Sequence, residues 1–356
     1  MQFRDFSLLH YFEEHEPSAK NSISFSDMLP FHFKEFGKSL DDLDLSHTTG
    51  IGALELRKRI GAVHGVPPDH VMVTCGASEA NFAVHASLLE RGDEAIVESP
   101  TYPPLRNMPM GLAGGARDAP RIPGNWALDL TAVRRLATPK TKLLVLTNLN
   151  NPTSGLLDTG QLSDIAILAR EKGFHVHVDE TFRDLAFDKA PKSAATLGDR
   201  MISTGTVTKV YGLGGLRIGW VVASPAVLKR VKSVKDYLSV TPPWPSEVLA
   251  LWALERREFF LDRARKILTE NRKTVREWLE RNKKVRWDLE DRGSIAFPRL
   301  DGNVDRLAGR LLKEHATILA PGRLFGFPEC FRLGYGRDPT LLRQGLEAFD
   351  AVLRSL

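Results

Sequence analysis

Short, almost continuously apolar runs of four to six residues alternate along the chain with longer stretches whose apolar positions recur at helical spacing. The strand-like runs are residues 71–74, 94–98, 142–147, 174–179, 201–204 and 218–223. The helix-like stretches between and around them are residues 53–64, 79–89, 128–136, 160–172 and 225–237. This alternation predicts an α/β fold with a mainly parallel sheet and helices on both faces. Burial on both sides explains why the strands lack polar alternation.

The pattern changes after about residue 240. The stretch "TPPWPSEV" interrupts it, and residues 246–282 then contain neither proline nor glycine, which predicts a single long helix. Short strands ("SIAFPRL", "CFRLGYG") and a helix from Pro339 follow. We therefore predict an N-terminal segment (1–45) that joins a smaller α+β domain (266–356), and a large domain (46–265) between them.

Composition narrows the class of protein. The 356 residues are 42% hydrophobic and 26% charged, an ordinary globular profile, and the net charge of +5 is spread along the chain. The two cysteines allow no disulfide framework and no CxxC metal pair, so a reducing compartment and no metal are expected. No apolar run reaches membrane-spanning length and the first residues lack a secretory core. We expect a cytoplasmic protein with no membrane partner.

Five of the predicted strands lead into residues that can bind or activate a ligand, and ligands bind outside the carboxyl ends of parallel strands. In chain order these residues are Gly76, Ala77 and Ser78, then Tyr102, Asn151, Asp179, Thr206 and Lys209. Taken singly, most have a structural explanation as a helix cap, a packed ring or an Asn-Pro turn. A carboxylate or an amine next to an apolar strand, however, needs a partner or a function.

Together these residue types predict a site for pyridoxal 5'-phosphate. A desolvated amine at Lys209 would form the Schiff base, and Asp179 would keep the pyridine nitrogen protonated so that the ring acts as an electron sink. The stretch "VTKVYGLGGLRIGW" supplies glycines that let the chain turn back toward the phosphate. The expected phosphate ligands are Gly76, Ala77, Ser78, Thr206 and Arg217.

The ordered motifs resemble the class I/II aminotransferases, which are pyridoxal-phosphate enzymes of fold type I. The resemblance covers most of the chain and is clearest over residues 47–224. It is carried by "TGIGALELR", "CGASEA", "ESPTYP", "NNPTSG", "VDETF", "TVTKVYGLGGLRIGW" and, near the C-terminus, "FRLGYG". It implies a seven-stranded-type sheet and a homodimer with shared active sites.

The resemblance also implies roles for particular residues. Tyr102 would stack on the cofactor ring, and Asn151 would bind the cofactor's 3-oxygen and contact the substrate. Arg332 would bind the substrate α-carboxylate, for which a bidentate guanidinium is better suited than an amine. Ser26 lies near the place of a substrate-contacting residue.

At two positions this chain departs from the family pattern. Phe182 occupies the place of a tyrosine that donates to the 3-oxygen, and phenylalanine cannot donate. His47 stands where a tyrosine usually reaches the partner subunit's cofactor phosphate. Neither change removes the Schiff base, the electron sink or the phosphate site, but the departures leave the substrate and the exact reaction open.

The expected function is transfer of an amino group from an L-amino acid to a 2-oxo acid, with Lys209 and Asp179 as catalytic residues. One alternative keeps the cofactor but changes the reaction to β-elimination or replacement, decarboxylation or oxidation, as in capreomycidine-synthase-like relatives. The other alternative is a non-catalytic regulator that binds DNA. The first 45 residues contain Pro17, Pro30 and the acidic "YFEEHE", which is poor material for a DNA-reading lobe, so no nucleic-acid partner is expected.

Overall fold

The computed structural model describes residues 2–287 and 291–355. Its strands are β1 (Asn21–Ser22), β2 (Val71–Thr74), β3 (Glu94–Ser99), β4 (Ala116–Pro120), β5 (Thr141–Thr147), β6 (His175–Asp179), β7 (Met201–Thr206), β8 (Gly219–Val222), β9 (Val285–Arg286), β10 (Ile295–Ala296), β11 (Arg299–Leu300), β12 (Thr317–Ile318), β13 (Ala320–Pro321) and β14 (Phe331–Gly334).

The α-helices are α1 (Ser7–His15), α2 (Leu54–His64), α3 (Gly76–Leu88), α4 (Pro103–Leu112), α5 (Leu130–Leu136), α6 (Thr159–Lys172), α7 (Pro225–Lys235), α8 (Trp244–Glu255), α9 (Arg257–Arg281), α10 (Val304–His315) and α11 (Pro339–Leu353). Short 3₁₀ turns cover Glu16–Ser18, Phe33–Phe36, Pro68–His70, Arg183–Lys189, Ala194–Leu197, Gly214–Leu216 and Gly322–Phe325.

Seven strands form the central sheet, in the spatial order β2-β8-β7-β6-β5-β3-β4. Strands β7, β6, β5, β3 and β4 are parallel to one another, whereas β8 is antiparallel to its neighbours β2 and β7. The predicted fold class, a mainly parallel sheet within an α/β protein, is confirmed.

Alternate side chains of the central strands pack against helices on opposite faces of the sheet. Val97 and Val145 belong to one apolar cluster, with residues of α3 and α7. Ile96 and Leu144 belong to another, with residues of α5 and α6. Since strand side chains alternate in direction, helices cover both faces and the inner strands of the sheet are buried.

Two elements of this domain carried no strand or helix signal in the sequence. The edge strand β4 has exposed side chains at most of its positions, so it lacks the apolar run that marks the inner strands. Helix α4 begins with Pro103 and Pro104 and contains Pro109. Proline is well tolerated in the first turn of a helix, where no backbone N–H partner is lost.

The predicted single helix over residues 246–282 is wrong. The structure has two helices, α8 and α9, with Arg256 between them at φ −103° and ψ 28°. The Nη1 of Arg256 donates to the carbonyl of Glu35 at 3.1 Å, and Arg257 pairs with Asp184 at 3.2 Å. Because these partners lie far away in the chain, the break accompanies tertiary contacts, and neither glycine nor proline marks it.

The N-terminal segment packs with the C-terminal part of the chain. Strand β1 pairs in parallel with β12, and β10, β14 and β13 form a small antiparallel sheet. Helix α11 packs so closely that a Cβ on Gly345 would lie 2.2 Å from the side chain of Ile23. Helix α9 runs through the predicted boundary at residue 265, and the division into three segments stays a prediction.

Candidate active site

The antiparallel direction of β8 brings a positively charged loop to the carboxyl edge of the sheet. Gly219, the first residue of β8, is paired with Thr74 at the end of β2 and with Thr206 at the end of β7. Arg217 precedes β8 by two residues and has a left-handed backbone, with φ 52°. The loop that follows Lys209 therefore returns its arginine to the same edge as the strand ends.

A cavity of about 380 Å³ opens at this edge, between the sheet and the N-terminal segment. Its charged and polar lining comprises Glu16, Ser26, Asp27, Ser78, Asn81, Tyr102, Thr147, Asn151, Asp179, Thr181, Thr206, Thr208, Lys209, Arg217 and Arg332. Its apolar lining comprises Phe6, Leu8, Leu9, Phe12, Phe25, Ala77 and Phe182. The cavity thus combines many ionisable groups with an aromatic wall.

Asp179, at the end of β6, presents a buried carboxylate to the cavity. It accepts hydrogen bonds from the Asn81 amide at 2.8 Å and from the Thr181 backbone N–H at 3.0 Å. Burial raises the pKa of Asp179, and these hydrogen bonds act in the opposite direction. A cation placed against this carboxylate would favour its ionised form.

A chain of buried side chains leads away from Asp179. The Thr204 hydroxyl donates to the Asn81 Oδ1 at 2.6 Å and lies 2.9 Å from the His177 Nε2, while the His177 Nδ1 lies 3.0 Å from the His85 Nε2. The carboxylate can only accept, which fixes the orientation of the Asn81 amide and then, step by step, the donor at each position. In this series of hydrogen bonds, each donor therefore donates toward Asp179. Such aligned hydrogen bonds strengthen one another.

The start of α3 offers an anion cradle. A Cβ on Gly76 would lie 2.3 Å from the Nη2 of Arg217, so only glycine leaves room for this guanidinium. A Cβ on Gly219 would lie 2.4 Å from the carbonyl carbon of Gly76. No side chain of the described residues caps the helix at Cys75, which leaves the first N–H groups of α3 for a ligand. Gly76 thus packs against Arg217, and Gly219 packs against the backbone of Gly76 and Ala77, which fits a site for a phosphate group.

Two threonines flank this cradle. The Thr206 hydroxyl is 2.6 Å from the Ile218 carbonyl, to which it donates, and 2.9 Å from the Thr208 hydroxyl. The proton of Thr206 is therefore used within the protein. Thr208 also lines the cavity, and its hydroxyl can donate either to Thr206 or to a ligand.

Lys209 lies in the cavity with its side chain 28% exposed, and its Nζ forms an ion pair with Asp27. The backbone holds the two segments together as well, since the Met28 N–H donates to the Lys209 carbonyl at 3.0 Å. The amine is thus accessible from the cavity and has an acidic neighbour from the N-terminal segment.

Asn151 is held by a loop that is anchored on a buried ion pair. Glu98 and Arg121 are 2.7 Å apart and both side chains are 0% exposed. Glu98 also accepts from the Thr147 backbone N–H at 2.6 Å and from the Asn150 amide at 2.9 Å. Glu98 therefore fixes the position of the loop that contains Asn151.

Arg332, on β14, closes the other side of the cavity. Its Nε donates to the Ser24 carbonyl at 3.1 Å and its Nη1 to the Asn151 Oδ1 at 3.4 Å. Burial lowers the pKa of Arg332 to about 10, so the guanidinium stays charged at neutral pH. Burial raises the pKa of Tyr102 to about 12, so its phenol stays neutral.

The structure brings most of the sequence-predicted residues together. The cavity lining includes Ala77, Ser78, Tyr102, Asn151, Asp179, Thr206, Lys209, Arg217, Arg332 and Ser26, as well as Phe182, and Gly76 packs on Arg217. His47 is the exception. It is exposed and lies against the Trp244 ring, with 4.4 Å between centroids, outside the cavity lining.

Sequence reasoning missed Asn81, Thr208, Asp27 and Glu16. Asn81 had a usable signal, because it is a polar residue among the buried Ala80, Ala83 and Val84 of α3. Asp27 had none, because its partner Lys209 lies 182 residues further along the chain.

The donor set fits pyridoxal 5'-phosphate. An accessible amine, a buried carboxylate with a raised pKa, a neutral aromatic side chain and an uncapped helix start beside an arginine lie around one cavity. These are the groups that the cofactor's aldehyde, ring nitrogen, ring face and phosphate require. The fold and the site thus define a pyridoxal-phosphate-dependent transferase of nitrogenous groups.

Comparison with known proteins agrees with this class of enzyme. A family model described as aminotransferase class I and II matches residues 37–349. Capreomycidine synthase from Streptomyces vinaceus is 29% identical over 94% of this chain and 90% of its own length. A probable aspartate/prephenate aminotransferase from Thermus aquaticus is 28% identical over 91% of this chain and 88% of its own length. The crystal structure of an aminotransferase from Streptococcus suis, dependent on pyridoxal phosphate, has a TM-score of 0.93 at 28% identity and covers 100% of this chain and 99% of that one.

The chain belongs to the class I and II aminotransferase family. It is a pyridoxal-phosphate-dependent aminotransferase, which acts on an amino acid and a 2-oxo acid. In the part of the chain that the structure describes, we find no helix both long and apolar enough to span a lipid bilayer.

Proposed function

We propose that Lys209 holds the cofactor covalently and moves a proton between the substrate Cα and the cofactor during amino-group transfer. The observation that carries this proposal is the placement of Lys209 and Asp179 in one cavity, with Arg217 packed on the start of α3. When bound, the cofactor supplies an electron sink that makes the substrate Cα–H acidic.

The other residues bind and orient. Asp179 holds the proton on the cofactor's ring nitrogen. The series of hydrogen bonds that runs from His85 through His177 and Thr204 to Asn81 stabilises the charge of this carboxylate. Gly76, Ala77, Ser78 and Arg217 bind the phosphate, and we add Thr208 as a further donor. Thr206, which donates to the Ile218 carbonyl, lies beside the phosphate and positions Thr208. Tyr102 packs on the ring, and Asn151 binds the 3-oxygen.

Arg332 and Asn151 orient the substrate α-carboxylate, with Ser26 beside them. Arg332 is fixed by its hydrogen bond to the Ser24 carbonyl and by aromatic rings, lying 5.8 Å from the Phe12 centroid and 5.4 Å from that of Phe325. A guanidinium held in this way can direct the Cα–H bond toward Lys209.

The direct test is reduction of the purified holoenzyme with borohydride, followed by peptide mass mapping. The label is expected on Lys209, and a label on another lysine would refute the assignment. Incubation with single amino acids and 2-oxoglutarate, with detection of the new 2-oxo acid, tests the transfer itself.

A second candidate is a different reaction on the same cofactor, such as β-elimination or replacement, decarboxylation or oxidation. Phe182, which lines the cavity without a hydrogen-bonding group, and the similarity to capreomycidine synthase favour it. Addition of an amino acid without a 2-oxo acid distinguishes the two. Amino transfer leaves pyridoxamine phosphate on the enzyme, whereas the alternatives release product and leave pyridoxal phosphate.

We also propose a homodimer with shared active sites. Leu45, Tyr237 and Val240 are 76%, 93% and 67% exposed, and their segments are joined where the Thr49 N–H donates to the Thr241 hydroxyl. Large exposed apolar side chains mark interaction surfaces. His47 lies in the same segment, which suits contact with the partner's cofactor. Light scattering should give twice the chain mass, and a Tyr237→Lys variant should shift toward the monomer.

Two further proposals concern setting and organisation. Cys75 and Cys330 are both free thiols, which supports a reducing, cytoplasmic location. The pairing of β1 with β12 supports an N-terminal segment that joins the small domain, as in the division at residues 45 and 265.

A further inference from the structure

The cavity contains more acidic side chains than the proposed chemistry uses. Its charged lining comprises Glu16, Asp27, Asp179, Lys209, Arg217 and Arg332. In the proposed function, Asp179 pairs with the ring nitrogen and Lys209 forms the covalent link. Arg217 binds the phosphate, and Arg332 binds the substrate α-carboxylate. The remaining charged groups, Glu16 and Asp27, are both carboxylates and both come from the N-terminal segment.

Among the described residues, the ion pair of Asp27 is with Lys209, and it requires Lys209 to be a free ammonium. The Asp27 side chain is 50% exposed. Once Lys209 holds the cofactor, that nitrogen no longer serves Asp27 as a free ammonium. The carboxylate then faces the cavity beside Arg332, whose pKa it helps to raise against the effect of burial.

Glu16 lines the same cavity and is exposed. Leu8, Phe12 and Glu16 are spaced four residues apart along α1 and the 3₁₀ turn that continues it, so they share one face. All three line the cavity, together with Phe25. This wall presents apolar groups inside and a carboxylate at its outer end.

The arrangement matches a long side chain with a cationic tip. Apolar rings accommodate an aliphatic stem, while a carboxylate binds the charged head. No cation among the described lining residues is left over for a side-chain carboxylate, because Lys209, Arg217 and Arg332 are all used. An acidic substrate would instead meet Glu16 and Asp27.

We infer that the amino-acid substrate carries a positively charged side chain, of the lysine, ornithine or arginine type, which Asp27 and Glu16 bind. This inference rests on the proposed function, which assigns the other charged groups of the cavity.

The test compares amino acids that have similar side chains and differ in charge. L-arginine is paired with L-citrulline, and L-lysine with L-norleucine. For the holoenzyme, kcat/KM is measured for amino transfer, and affinity is measured by titration calorimetry. The charged member of at least one pair is expected to be preferred about tenfold or more, in both readouts. Equal or better binding of the neutral member in both pairs overturns the inference.

Variants then assign the effect to the two carboxylates. Asp27→Asn and Glu16→Gln should each lower the charged-to-neutral ratio toward one, and Glu13→Gln, on α1 outside the cavity lining, should leave it unchanged. If Asp27→Asn fails to retain the cofactor, Glu16→Gln decides, because Glu16 is exposed at the mouth. An unchanged ratio in Glu16→Gln and in any cofactor-loaded Asp27→Asn overturns the inference.

The two levels of proposal fail differently. If no amino acid transfers its amino group, the proposed function is refuted, but the calorimetric affinities still measure the preference for charge. If neutral amino acids are transferred as well as charged ones, the transfer stands and the charge inference falls.

Discussion

The carboxyl edge of the central sheet and the N-terminal wall face each other across one cavity, yet they are built differently. At the sheet edge, Asp179 is fixed by hydrogen bonds that continue through buried side chains to His85. The N-terminal wall is a short helix followed by a two-residue strand, and Phe25, Asp27 and Glu16 are exposed.

The difference separates two tasks. Groups that bind a cofactor and move a proton need fixed positions, since small displacements cost large factors in rate. Groups that choose a substrate can lie on the exposed side chains of such a segment, because those side chains can change without disturbing the sheet. We therefore expect changes at the edge to abolish the chemistry, and changes at the wall to alter the substrate.

Removal of the amine should give the largest effect. Lys209→Ala is expected to lower the rate of amino transfer by about 10⁴-fold or more, because it deletes both the covalent link and the proton carrier. Lys192→Ala, an exposed lysine outside the cavity lining, is the control for a steady-state assay with saturating cofactor. Substantial activity in Lys209→Ala would place the reacting amine elsewhere.

The second-largest effect is expected from the buried ion pair of Glu98 and Arg121, which holds the loop that carries Asn151. Glu98→Gln leaves the buried guanidinium of Arg121 without its counter-charge, and we expect the free energy of unfolding to fall by about 3–5 kcal/mol. Glu94→Gln, on the same strand, breaks the exposed pair with Arg117 and should cost at most about 1 kcal/mol. Urea denaturation of both variants measures the difference. Equal losses would show that the buried pair is not the anchor.

Arg332, which we propose binds the α-carboxylate, contacts both regions, since it donates to the Ser24 carbonyl and to the Asn151 Oδ1. Arg332→Lys removes the planar, two-pronged donor and should lower kcat/KM about 10- to 100-fold, while cofactor absorbance is retained. Arg323→Lys, in an exposed pair with Asp305, is the matched control. An Arg332→Lys enzyme with normal kcat/KM would exclude Arg332 from substrate binding.

The buried histidines make the sheet edge sensitive to acid. Burial lowers the pKa of His177 to about 3, whereas the unfolded chain binds this proton near its ordinary pKa. Stability is therefore lost as the pH falls below about 6.5, by up to about 1.4 kcal/mol per pH unit for this histidine. His177→Gln should reduce the slope between about pH 6 and 4, and His10→Gln, at an exposed position, should not. Unchanged slopes in denaturation series across this pH range would contradict the assignment.

Phe182 should give the smallest effect. Phe182→Tyr introduces a phenol that can donate to the cofactor's 3-oxygen, so the pH at which the cofactor's visible absorbance titrates should fall by roughly one unit. Phe182→Leu, which adds no donor, is the control. A higher titration pH in Phe182→Tyr would refute this reading of the departure from the family pattern.

Residues at the carboxyl edge of the central sheet could be predicted from the sequence, as the positions of Asp179 and Lys209 illustrate. Asp179 is the last residue of β6 and Lys209 follows β7, and the carboxyl ends of parallel strands meet at one edge of a sheet, whatever the length of the loops between them. Asn81 was within reach of the same reasoning, since it interrupts a buried helix face. The direction of β8, which returns Arg217 to the phosphate cradle, carried no comparable signal in its own strand.

By itself the sequence determined the α/β class, the inner strands and most of the polar residues that line the cavity, because local periodicity and residue order specify them. Only the tertiary structure decided that Asp27 meets Lys209, that Glu16 lines the same cavity as Asp179, and that the long helix breaks at Arg256. These contacts join segments far apart in the chain. Their positions follow from how whole elements pack, and no short stretch of residues encodes that packing.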